Sequence, residues 1–194
     1  MSSGVLVQYD TLHGTIAAIE RLRAASLLDP QAILACDPGE LSGYLRPSGY
    51  FNVKAARLRA LCAWLVEAGG LAVVGRWSTD RLRHALLGVK GVGPETADDI
   101  LLYAFERPVF VIDAYTRRLF SRLGLIQGDE GYEALRRAFE SALGPDAALF
   151  NEYHALIVRQ AKDLCRPRPR CEHCPVRGQC RSAVSAPAAP GRSR

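Results

Sequence analysis

Leu86-Leu87-Gly88-Val89-Lys90-Gly91-Val92-Gly93-Pro94-Glu95-Thr96-Ala97 joins two stretches that read as helices. Glycines stand where the chain must turn tightly, and a proline takes the first position of the second helix. Upstream, Ser78-Thr79-Asp80 is a start signal for a helix that runs to Leu87; downstream, apolar spacing carries a helix from Pro94 to about Phe105. The pattern is helix-hairpin-helix. In such a turn the N–H groups of Gly91 and Gly93 lie beside the positive end of the second helix, and a phosphate oxygen can approach because no Cβ obstructs it. Val92 is the expected anchor of the hairpin in the core, and Lys90 the turn residue that points to solvent or phosphate. A glycine pair before a helix also occurs in plain turns, so this motif alone decides no function.

Working outward, the rest of the chain reads as further helices. Ile16, Ala17, Ile19, Leu22 and Leu27 recur at amphipathic spacing over residues 12–28. Asp29-Pro30 and Asp37-Pro38 start short helices over 30–35 and 38–45. Asn52 is the expected cap of a longer helix to about Ala68, with Lys54, Arg57 and Arg59 on its polar face. Residues 109–112, Val-Phe-Val-Ile, suit a strand by composition but have no evident partner, which predicts an extended loop packed among helices. Helices follow over about 114–123, 130–143 and 146–163. The fold class expected is all-α.

The chain has 194 residues, 48% of them hydrophobic, enough to bury a substantial core in one domain or two small lobes. It has no run of eighteen apolar residues and no charged-then-apolar leader, so neither a membrane span nor a secretory signal is expected, and the protein is placed in the cytoplasm. A net charge of +5, carried by 22 arginines and only three lysines (Lys54, Lys90, Lys162), suggests a polyanionic partner. Cys36 and Cys62 lie in apolar surroundings and read as inert buried thiols.

The other four cysteines, Cys165, Cys171, Cys174 and Cys180, crowd into one short run. Two disulfides, a zinc site and an iron-sulfur cluster compete for them, and nothing points to the oxidising compartment that disulfides need. One central Cys-x2-Cys pair, flanked by a cysteine five residues away on each side, suits wrapping a single cubane, with zinc the alternative. Arg166, Arg168 and Arg170 fill the first loop and either meet phosphate or simply solvate the tail. Asp113, directly before the helix at Ala114, is an ordinary N-cap on composition. A carboxylate held ionised by the helix dipole can also stabilise a cationic sugar or orient water. Glu95, Asp98 and Asp99 on the second hairpin helix read equally well as solvated positions, and Tyr153 and His154 as packing residues.

The ordered combination of hairpin, Val-Ile-Asp113 and four-cysteine loop resembles the endonuclease III branch of the helix-hairpin-helix DNA glycosylases, over about Val5 to Arg181. The resemblance implies two all-helical lobes with a DNA groove between them: residues 1–110 holding the hairpin, with an N-terminus short relative to the family, and 111–181 holding a [4Fe-4S] cluster. Residues 182–194, rich in Ala, Pro and Ser, are expected to be a disordered tail. It further implies a monomer that works on the nucleoid, bends double-stranded DNA and flips a damaged nucleotide into a pocket near the hairpin and Asp113, and Gln8 stands where the family places a glutamine that fills the gap. Glu95 stands where bifunctional members carry their lyase lysine. The implied activity is therefore base excision, hydrolysis of an N-glycosidic bond, with weak or no strand cleavage at the resulting abasic site. A non-catalytic iron-sulfur module that binds DNA or senses redox state is the alternative.

Overall fold

The computed structural model describes residues 12–184, so Gln8 and most of the 182–194 tail lie outside it. Every regular element among the described residues is a helix. They divide into two compact units, one ending at Arg107 and the other beginning at Pro108.

The first unit comprises α1 (Leu12–Ala24), α2 (Pro30–Ala35), α3 (Pro38–Leu45), α4 (Phe51–Glu67), α5 (Leu71–Val74), α6 (Thr79–Leu87) and α7 (Pro94–Phe105). Asp29 and Asp37 cap α2 and α3 as expected, each carboxylate accepting backbone N–H groups of the first turn, and Ser78 caps α6 through the Arg81 N–H. The core is built where the apolar faces of α1 to α4 converge on Ala18, Leu22, Ile33, Leu41, Leu45, Leu58 and Cys62. Burying each leucine or isoleucine of this set stabilises by roughly 1.5–3 kcal/mol.

The start of α4 differs from the sequence reading. The helix begins at Phe51, with Tyr50 at its N-cap in the left-handed region at φ 42°, and the Asn52 side-chain Oδ1 instead accepts the Ser42 hydroxyl at 2.7 Å. Lys54 does not sit on a solvated face. It is buried, and its ammonium donates to the Ser48 carbonyl, tying α4 to the turn that precedes it. Arg59 reaches the opposite way and donates to the carbonyls of Ile33, Leu34 and Cys36, which α2 leaves unpaired at its C-terminal end. Long charged side chains that fill the carbonyls of short helices stay invisible to a pattern of polar and apolar positions.

The second unit comprises α8 (Ala114–Leu123), α9 (Tyr132–Leu143), α10 (Ala147–Asp163) and α11 (Arg181–Val184), with single 3-10 turns at Cys171–His173 and Arg177–Gln179. Residues 109–112 are extended and fully buried, without strand pairing, as expected. A buried loop must have its backbone satisfied, and here α9 does it: the Phe110 N–H donates to Glu140 at 3.0 Å and the Ile112 N–H to the Tyr132 hydroxyl at 3.4 Å. Phe110 stacks on Phe139 at 4.5 Å and meets Phe150 and Tyr153 edge-on. The segment that delivers Asp113 is therefore fixed by both hydrogen bonds and ring packing.

Candidate functional site

The hairpin forms as its sequence requires. Gly88 ends α6, Val89 and Val92 are buried, and the Val92 N–H donates to the Val89 carbonyl at 3.0 Å, closing the turn. Gly91 adopts φ +88°, a conformation that any side chain resists. A Cβ there would also lie 2.5 Å from the Arg57 side chain, which packs across the turn from α4. Gly93 is the N-cap of α7, and the space where its Cβ would stand is open. Lys90 and Gly91 are exposed, and Glu95 is half-buried in the first turn of α7. An exposed turn with free approach to a helix N-terminus, beside a lysine and an arginine, has the chemistry of an anion site.

Asp98, three residues beyond Glu95, is not a solvated position. Its side chain is wholly buried and takes a two-pronged contact from Arg83: Nε to Oδ1 at 2.6 Å and Nη2 to Oδ2 at 3.1 Å. The pair joins α6 to α7, the two helices of the hairpin.

In the second unit, Asp113 caps α8 and is buried. Oδ1 accepts the Thr116 N–H at 2.6 Å, and Oδ2 faces Nε2 of His154, on α10, at 3.5 Å. Burial pushes the carboxyl upward, but the His154 imidazole and the Thr116 N–H outweigh it and hold Asp113 below the ordinary aspartate range. A carboxylate in that state is charged at neutral pH although desolvated, which is what stabilisation of a developing cation needs. Sequence reasoning set His154 aside as a packing residue. One histidine on an apolar helix face carries no sign of which carboxylate it will meet.

All six cysteines are free, which leaves no disulfide in the 165–180 loop. Among the described residues no three His, Cys, Asp or Glu side chains gather as a metal cradle. The donor chemistry nevertheless suits a thiolate-bound group. Arg122 donates to Sγ of Cys165 at 3.4 Å and the Gln160 amide to Sγ of Cys174 at 3.1 Å, contacts of the kind that orient sulfur ligands. Arg122 also donates to the carbonyls of Arg166 and Pro167, and its own carbonyl accepts from Cys180. Arg118 adds contacts to the carbonyls of Ala161 and Cys165. Both arginines come from α8, the helix that Asp113 caps, so the cysteine loop and the aspartate share one support. Arg166, Arg168 and Arg170 are exposed.

A family model described as HhH-GPD superfamily base excision DNA repair protein matches residues 3–145. The chain belongs to this HhH-GPD superfamily. Among its relatives, a provisionally assigned DNA repair glycosylase of Methanocaldococcus jannaschii is 40% identical over 92% of this chain and 82% of its own length. Endonuclease III of Sulfolobus acidocaldarius is 26% identical over 91% of the chain and 78% of its own. The Helicobacter pylori 3-methyladenine DNA glycosylase, solved bound to 1,N6-ethenoadenine, superposes with a TM-score of 0.74 at 28% identity, covering 83% of this chain and 82% of that one. The chain is thus an endonuclease III-like HhH-GPD member with the all-helical fold of that superfamily, as its motifs implied.

Proposed function

We propose that the protein is a monofunctional DNA N-glycosylase that hydrolyses the bond between deoxyribose and a modified purine in duplex DNA. The observation that carries this reading is Asp113, a buried carboxylate kept ionised by its own helix cap and by His154. Breaking the glycosidic bond leaves positive charge on the sugar, and a fixed anion in a water-poor setting stabilises that charge far better than solvent does. The same carboxylate orients the water that adds to the sugar. Lys90, Gly91 and Gly93 are assigned to a backbone phosphate, and Arg166, Arg168 and Arg170 to further phosphate contacts.

Glu95 narrows the chemistry. A carboxylate cannot condense with the sugar aldehyde, so no imine forms at that position and no strand is cut by that route. A base that already leaves readily, as an alkylated purine with weakened aromaticity or positive charge does, needs only the help of a carboxylate. The likeness to the 3-methyladenine glycosylase of Helicobacter pylori supports that substrate class. The test is single-turnover excision on duplexes bearing alkylated, etheno-bridged, oxidised, deaminated or mismatched bases, with borohydride trapping on an abasic duplex in parallel. Excision of an alkylated or etheno purine with no trapped complex is the expected result. A strong trapped band lost on Lys90→Ala would make Lys90 a nucleophile and the enzyme bifunctional. No excision of any base would leave a DNA-binding module.

Cys165, Cys171, Cys174 and Cys180 are assigned to a [4Fe-4S] cluster, in keeping with the two N–H donors on their sulfurs. Such a group would tie the C-terminal loop to α8 and α10 and take no part in bond cleavage. Protein purified without added metal should contain about four iron and four sulfide per chain. Stoichiometric zinc without sulfide would replace the cluster with a zinc knot.

A further inference from the structure

The two oxygens of Asp113 are not equivalent. Oδ1 is committed to the Thr116 amide as the helix cap, whereas Oδ2 is the oxygen turned to the His154 ring. The cap fixes where the carboxylate sits but leaves rotation of its plane to be set by whatever holds Oδ2. His154 comes from the middle of α10, is 6% exposed, and lies on the same helix as Phe150 and Ile157, both fully buried. Its ring is thus anchored by the core. Nε2 is the ring nitrogen that faces Oδ2, 3.5 Å away.

From this geometry we infer that His154 is a positioning residue for base excision: it holds the Oδ2 face of Asp113 in the orientation that meets the cationic sugar. The inference rests on the catalytic reading of Asp113. Misplacing a reacting group by about 1 Å can cost on the order of a hundredfold in rate, so loss of the ring that stands 3.5 Å from Oδ2 is a kinetic event even where the fold survives.

The experiment compares His154→Gln, which returns an N–H near the position of Nε2, with His154→Leu, which keeps apolar packing but offers no donor. Each is made in the parent and in Asp113→Asn, and single-turnover excision is followed on the best substrate of the lesion panel, together with duplex affinity and melting temperature. His154→Leu should slow excision about tenfold to a hundredfold with duplex affinity unchanged, and His154→Gln should restore most of that loss. In the Asp113→Asn background His154→Leu should add nothing, because the group it orients is gone. A purely structural role gives the reverse order, with leucine tolerated and glutamine damaging, and overturns the inference. So does a leucine effect that persists in full without the Asp113 charge. Should Asp113→Asn itself excise at the parental rate, the catalytic reading of Asp113 fails, a result distinct from parental excision by His154→Leu alone. If His154→Leu does not fold, His154→Gln against His154→Asn supplies the comparison, since the shorter amide cannot reach Oδ2; equal rates for those two overturn the inference.

Discussion

Asp113→Asn should slow single-turnover excision by roughly a hundredfold or more, the scale on which one strong transition-state electrostatic contact acts, while leaving the protein folded and bound to DNA. Asparagine is about as good an N-cap as aspartate, and its carbonyl can accept the Thr116 N–H that Oδ1 now holds at 2.6 Å. What it cannot supply is charge. The folded-state carboxyl titrates below its ordinary value, so its ionised form contributes stability that is fully present above about pH 4 and is lost as pH falls through the folded pKa. The variant should therefore melt slightly below the parent at neutral pH, and that gap should close in acid. Calorimetry at neutral and acid pH, paired with excision rates, separates the two roles. Excision within about threefold of the parent would reduce Asp113 to its capping duty.

The features legible in the sequence were those with local causes. Gly93-Pro94 announces a helix start by backbone geometry, Asp29 and Asp37 cap because each carboxylate can accept first-turn N–H groups beside a proline at the first helical position, and the four-residue apolar run at 109–112 pairs with no strand among the described residues. The features that escaped it depend on partners supplied by other elements. Lys54 is buried because the Ser48 carbonyl needs a donor, and Asp98 because Arg83 crosses from the neighbouring helix. His154 gains its meaning from Asp113, and Arg122 from the carbonyls and sulfurs of a loop far along the chain. Charge at Lys54 and Asp98 reads as solvation in a polar pattern and His154 as packing, whereas the folded protein sets all three against buried polar groups. Asn52 shows a smaller version: the right residue type for a cap, displaced because Tyr50 enters the left-handed region and starts α4 two residues earlier.

Arg83→Met should strongly destabilise the hairpin. Its guanidinium meets Asp98 in a fork at 2.6 and 3.1 Å, with the carboxylate side chain 0% exposed and the arginine 14%. Removing one partner of a buried pair deprives the other charge of its two-pronged contact in a medium that hydrates it poorly, at a cost of about 3–5 kcal/mol. Removing both need not be costly, since apolar groups of similar volume often replace a buried ion pair at little loss or some gain. Urea unfolding should accordingly show a large fall in midpoint for Arg83→Met, with Arg83→Met combined with Asp98→Leu recovering much of it. A loss below about 1 kcal/mol for the single change would put the pair with exposed salt bridges. The consequence for DNA follows from position: Arg83 and Asp98 lie on α6 and α7, the two helices whose junction presents Gly91 and Gly93. A turn that binds phosphate through backbone N–H groups depends on those groups keeping a fixed direction. Duplex affinity measured well below the unfolding transition should fall for Arg83→Met even in the molecules that remain folded. It should fall less in the double variant, where the two helices pack again without a poorly hydrated charge.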